Sequence, residues 1–84
     1  MVKSIKLSEY NTQMGKLIIL DKEVLNKVNI MNYNYIPYND LIFNHSKYLN
    51  KNDAYFLLCS GGIKSKKAAN ILTIYGYNVT NLVK

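Results

Sequence analysis

Two stretches of the chain are apolar without interruption. Lys16-Leu17-Ile18-Ile19-Leu20-Asp21 follows Gly15 and stops at a carboxylate, and Ala54-Tyr55-Phe56-Leu57-Leu58-Cys59 stops at a cysteine just ahead of two glycines. A strand with one face in water alternates apolar and polar residues, whereas a strand buried on both faces does not. Both runs therefore predict central strands of a parallel sheet. Farther on, Ala68, Ile71, Leu72 and Tyr75 recur at i, i+3, i+4 and i+7, which predicts a helix over residues 65–75. Gly76 supplies the helix stop, and residues 77–82 read as a last strand. Between the two buried runs, Leu41, His45, Tyr48 and Leu49 fall on one side of a helix expected to start just after Pro37. Residues 4–7 are expected to add a short edge strand. This alternation predicts a small three-layer α/β domain, a central and mainly parallel sheet of four or five strands flanked by helices.

The 84 residues suffice for one domain over 1–84, and neither an internal repeat nor a linker interrupts them. A single cysteine excludes an intramolecular disulfide and a multi-cysteine zinc site. No metal and no cofactor are expected. A lone thiol persists in a reducing compartment, and no apolar run approaches the ~20 residues that cross a bilayer, so a cytoplasmic location is expected. The net charge of +6 comes from lysine alone, with all eleven basic residues Lys. Without the guanidinium fork that reads phosphates and bases, neither nucleic acid nor a membrane is an expected partner. Oligomeric state is left open.

Cys59 falls where the second buried run ends, in a glycine-containing turn that leads into the predicted helix. Ligand sites of open α/β sheets lie at the carboxyl ends of their strands. Turn and helix N–H groups, the positive end of the helix dipole, and the charges of Lys64, Lys66 and Lys67 all favour a thiolate over a thiol there. Gly61 and Gly62 are expected to permit backbone conformations that a Cβ would obstruct and to let amides approach an anion. A persulfide, thiosulfate, phosphate or arsenate would each suit such a loop.

The run Cys59-Ser60-Gly61-Gly62-Ile63-Lys64-Ser65 resembles the active-site loop of rhodanese-type, single-domain thiosulfate sulfurtransferases, with glycine three residues after the cysteine and a basic residue followed by serine. The helix that follows, and the sequel from Gly76 to Leu82, are similar to the next segment of that family. Upstream, Leu17-Ile18-Ile19-Leu20-Asp21 resembles the family's strand ending in Asp. Asn29-Ile30-Met31-Asn32-Tyr33-Asn34-Tyr35-Ile36-Pro37 is similar to its His-Ile-Pro-Gly-Ala-x-Asn-Ile-Pro stretch. The likeness covers residues 17–82, with a C-terminus shortened relative to the family.

What the resemblance implies is a rhodanese-like fold and a sulfurtransferase. Cys59 would take sulfane sulfur from a small donor such as thiosulfate, carry it as a persulfide, and pass it to cyanide or to a thiol acceptor, either a low-molecular-weight thiol or a protein. It implies Cys59 as the catalytic residue and Ser60, Gly61, Gly62, Ile63, Lys64 and Ser65 as the persulfide-binding loop. Lys64 would support the anionic sulfur, and Asp21 would support the site by anchoring Lys64 in an ion pair. Ser65 is expected either to hydrogen-bond the sulfur or to cap the helix.

Cysteine phosphatases and arsenate reductases also hold a thiolate in an anion-binding loop, but such phosphatases need arginine six residues after the cysteine. Ser65 stands there, and the chain has no Arg. The alternative that stays open is a non-catalytic rhodanese-like binding or regulatory module. His45 reads as a packed or boundary residue, and Tyr33, Tyr35 and Tyr38 as half-buried packing residues. Asp21 has a second reading as a strand-end turn former. Asn44-His45-Ser46 and Asn78-Val79-Thr80 match glycosylation acceptors by chance.

Overall fold

The computed structural model describes residues 3–27 and 32–84. Its sheet contains β1 (Lys3–Lys6), β2 (Lys16–Ile19), β3 (Asn34–Tyr35), β4 (Ala54–Leu58) and β5 (Asn78–Val83). All pair in parallel, in the order β1-β5-β4-β2-β3. The helices are α1 (Tyr38–Phe43), α2 (His45–Tyr48) and α3 (Ile63–Ile74), with short 3₁₀ helices at Leu7–Glu9 and Lys22–Asn26. The two aliphatic runs are β2 and β4, interior neighbours in register from Lys16 opposite Tyr55 to Ile19 opposite Leu58. The short edge strand expected near the N-terminus is β1.

Strand side chains alternate between faces, so Leu57 and Leu58, both fully buried, enter different cores. Leu57 joins Ile18, Leu20, Tyr55, Cys59 and Val79 beneath the α-helices, which contribute Leu41, Ala68, Ala69 and Leu72. Leu58 joins Leu17, Ile19, Phe56 and Leu82 on the other face. There the cover comes from Val24 and Leu25 of the second 3₁₀ helix and from Leu7 and Tyr10, so the third layer is built of 3₁₀ turns. Burial of each such aliphatic side chain is worth about 1.5–3 kcal/mol. The same alternation sets Cys59 on the helical face.

The buried stripe of α3 is Ser65, Ala68, Ala69 and Leu72, displaced from the expected one. Ile71 is half-buried and Tyr75 exposed, because two alanines bring the helix down onto the sheet along that line. The helix expected after Pro37 is broken into α1 and α2 at Asn44 (φ −127°, ψ 33°). Asn44 donates from its side chain to Asp40 Oδ1 at 2.8 Å and from its backbone to the Asp40 carbonyl at 2.9 Å. The backbone bond is the ordinary i to i−4 bond, with which Asn44 closes α1 as its C-cap.

His45 takes up the packed position expected of it, with its Nδ1 2.9 Å from the Tyr77 hydroxyl and its ring stacked on Tyr75. Strand β3 had no signature in the sequence, because both of its residues are exposed and neither alternation nor an aliphatic run marks them. Tyr33 and Tyr35 are exposed and Tyr38 packs against the core. Residues 29–31, which open the stretch compared above with the His-Ile-Pro motif, lie outside the described residues.

Candidate active site

Strand β4 delivers Cys59 to the carboxyl edge of the sheet, and the chain turns through Ser60, Gly61 and Gly62 into α3. The Cys59 side chain is buried. Its Sγ accepts the Gly62 N–H at 3.1 Å and the Ser65 N–H at 3.3 Å. These are the N-cap and third-position amides of α3, groups that a helix leaves without internal acceptors. The sulfur thus satisfies the helix start while the amides present positive partial charge to it.

Gly62 sits at φ +79°, in the left-handed region that costs an L-residue roughly 1–2 kcal/mol. Without that conformation its amide would not turn back onto the sulfur. At Gly61 the expectation of a glycine requirement is corrected. The backbone there is not left-handed, and an added Cβ would meet nothing within 4 Å.

Ser65 does not cap α3, because Gly62 holds the N-cap position. Ser65 is fully buried, and its Oγ lies 3.4 Å from Cys59 Sγ, 3.3 Å from the Gly62 carbonyl and 2.6 Å from Asn81 Oδ1. Asn81 in turn lies 3.4 Å from the Ser4 hydroxyl of β1. A polar line therefore runs from the buried sulfur across β5 to the exposed Ser4 of the edge strand. Asn81 and Ser4 were not read from the sequence as site residues. The available signal was an amide in the middle of Val79-Thr80-Asn81-Leu82, since buried strand positions admit a polar side chain only with a partner.

Asp21 caps the 3₁₀ helix that follows β2, accepting the Val24 N–H at 3.2 Å through Oδ1. Its Oδ2 accepts both the N–H and the hydroxyl of Ser60 at 3.1 Å. Asp21 is thus both a turn former and the anchor of the residue next to Cys59. Partial burial works against ionisation, but the amides of Ser60 and Val24, the Ser60 hydroxyl and the charge of Lys64 outweigh it and hold the carboxyl below its usual range. Among the described residues Asp21 and Lys64 do not form the expected ion pair, and Lys64 acts on Asp21 only as a nearby charge.

A cleft of about 900 Å³ opens beside the sulfur. Cys59, Ser60, Gly61, Gly62 and Ile63 line it, and Lys64 and Ser65 do not. Its cations are Lys66 and Lys67 from α3 and Lys84 after β5; the Lys84 ammonium donates to the Ser60 carbonyl. Among the described residues, no helix is long and apolar enough to cross a membrane. Chemically the arrangement is a parallel α/β domain with an amide-cradled thiol at a strand end, open to a cleft with a basic rim.

Neither a family model nor a curated protein sequence matches the chain. Solved structures do. A rhodanese-related protein from Thermoplasma volcanium superposes with a TM-score of 0.79 at 23% identity, over 95% of this chain and 82% of its own. A rhodanese-like domain protein from Staphylococcus aureus superposes with a TM-score of 0.78 at 25% identity, over 96% and 84%. A NAD-dependent persulfide reductase from A. fulgidus is matched over 15% of its length and 96% of this chain, at 19% identity and a TM-score of 0.70. The protein has the fold of these rhodanese-like domains.

Proposed function

We propose that the protein is a sulfurtransferase that carries sulfane sulfur on Cys59. The observation that supports this reading most directly is the sulfur itself, which accepts two helix-start amides and lines an open cleft. Hydrogen bonds from amides stabilise an anionic sulfur, and the thiolate is the attacking form. With thiosulfate as donor, the Cys59 thiolate attacks the outer sulfur. The sulfur–sulfur bond of thiosulfate breaks and sulfite leaves with its electron pair, which makes the Cys59 persulfide. Cyanide or a thiolate then attacks the outer sulfur and returns Cys59 to the thiolate.

The loop from Ser60 to Ser65 cradles the persulfide, and Asp21 holds Ser60 in place. Among the described residues, the amides of Gly61 and Ile63, two residues that line the cleft, make no hydrogen bond within the protein, which leaves them free to meet the outer sulfur. Neither metal nor cofactor takes part, and a lone thiol of this kind operates in a reducing compartment such as the cytoplasm.

Incubation with thiosulfate followed by intact-mass measurement tests the proposal. The expected result is the gain of one sulfur atom, removed by cyanide and absent in Cys59→Ser. A protein that gains no sulfur from thiosulfate or from inorganic polysulfide is not a sulfur carrier.

A further inference from the structure

The polar line that ends on Ser4 carries an inference about how the site meets two charge states of Cys59, and its catalytic consequence rests on the sulfur-carrier reading. A thiol has a proton to give and a thiolate has none, so a buried partner of Cys59 must accept in one state and donate in the other. Ser65 is that partner, with Oγ 3.4 Å from Sγ. Its single hydroxyl proton has two other acceptors within reach, the Gly62 carbonyl at 3.3 Å and Asn81 Oδ1 at 2.6 Å, and the shorter contact takes it. The lone pairs of Ser65 are then left for the thiol proton. Beyond it, Asn81 Nδ2 donates to the Ser4 hydroxyl at 3.4 Å. All three bonds therefore point the same way, outward from the sulfur.

Every member of the line beyond the sulfur is both donor and acceptor. Ser65 and Asn81 are buried, so water does not replace a lost partner there, whereas Ser4 is exposed. A half-turn of the Asn81 amide about its Cβ–Cγ bond interchanges Oδ1 and Nδ2, groups of nearly equal size, and leaves the backbone of β5 in place. We propose that Asn81 is a positioning residue that makes this half-turn when Cys59 ionises. Ser4 then donates to Oδ1, Nδ2 donates to Ser65 Oγ, and the Ser65 hydroxyl donates to the thiolate. The thiol proton leaves to water in the cleft, and three bonds are kept in either direction. In sulfur transfer, the acceptor attacks the outer sulfur of the Cys59 persulfide, the bond between the two sulfurs breaks, and its electron pair falls to Sγ. The hydroxyl that Asn81 turns toward Sγ stabilises that charge. Cys59 is the one titratable group of the line. The charges around it are common to both directions: Lys66, Lys67 and Lys84 along the cleft, and Asp21, bonded to Ser60, with Lys64 near it.

Nuclear Overhauser contacts of the Asn81 side-chain amide protons, recorded on the whole protein across the pH range in which alkylation of Cys59 rises, test the half-turn without a substitution. The strongest contact is expected with the Ser4 β-protons at low pH and with the Ser65 β-protons at high pH. The exchange falls at the midpoint of the alkylation profile and is absent in Cys59→Ser. Asn81→Asp offers only acceptors to the line and holds the Ser65 proton away from the sulfur. It raises the alkylation midpoint by about one pH unit and slows transfer from sulfur-loaded protein to cyanide about tenfold, the scale of one bond to a charged group. Added to Ser65→Ala, the same substitution has no further effect. Amide protons that stay beside Ser4 at every pH, or an Asn81→Asp effect that persists in full without the Ser65 hydroxyl, overturn the inference and leave the sulfur-carrier reading standing. Parent protein that takes up no sulfur from thiosulfate or inorganic polysulfide overturns that reading and, with it, the catalytic role of Asn81.

Discussion

At the end of β2, Asp21 accepts the amide of Val24, three residues on, at 3.2 Å. At the end of neighbouring β4, Cys59 accepts the amide of Gly62, also three residues on, at 3.1 Å. Both residues close a buried aliphatic strand and both turn the chain. They differ in what they have left over. The carboxylate spends its second oxygen on Ser60, so it serves as a tie between the two turns. The sulfur is engaged by Gly62, Ser65 and the Ser65 hydroxyl, yet it lines the cleft. An acceptor whose partners are all internal holds structure together, and one that still faces a cleft can act as a reagent.

Gly62→Ala should break the contrast most severely. Strain at φ +79° costs about 1–2 kcal/mol, and a domain of this size loses about 4–8 °C in Tm per kcal/mol. The amide also leaves the sulfur, so alkylation of Cys59 by iodoacetamide slows as well. Both effects are read by thermal melts and timed labelling. A variant that melts and labels like the parent would show that the sulfur does not depend on the left-handed turn.

A smaller loss is expected of Asp21→Asn. Bonds to a charged acceptor are worth about 1.5–3 kcal/mol. Asp21 is partly exposed, and solvent screening reduces that figure to about 1 kcal/mol, measurable by urea unfolding at neutral pH. The same carboxylate predicts an acid dependence. Its folded pKa lies below the ordinary value, so the stabilisation is fully present above the unfolded carboxylate pKa of about 3.9 and is lost as pH falls through the folded value. Unfolding followed between pH 5 and pH 2 should show a decline below pH 4 that is shallower in Asp21→Asn. Gly61→Ala is the smallest change, within about 0.5 kcal/mol, because its Cβ meets open space.

Much of this geometry was legible in the chain because it rests on local pattern. Two uninterrupted aliphatic runs gave β2 and β4, and their ends placed Asp21 and Cys59 at one edge of the sheet. Helical spacing gives α3, but more than one line of residues on it satisfies that spacing, and the buried one runs through Ser65 and Ala69 in place of Ile71 and Tyr75. What stayed hidden depends on contacts between distant residues. Nothing near Asp21 announces Ser60, and nothing near Ser65 announces Asn81. The cleft draws on Ser4 and Lys84, from opposite ends of the sequence, which only the pairing of β1 with β5 brings together. The break at Asn44 leaves no mark in the sequence, because the apolar spacing of Leu41, His45, Tyr48 and Leu49 runs straight through it.

The line from Cys59 through Ser65 and Asn81 ends on Ser4, in a four-residue strand that has β5 as its sole neighbour in the sheet. Short edge strands open first when a native protein fluctuates, at a free energy well below that of global unfolding. Each such opening takes Ser4 away from the cleft and releases the far end of the polar line, while β4 and the Gly62 turn stay folded. The sulfur and its surroundings therefore belong to two different cooperative units. In hydrogen exchange, the Gly62 and Ser65 amides would follow the slow core, and the β1 amides that border the same cleft would exchange early.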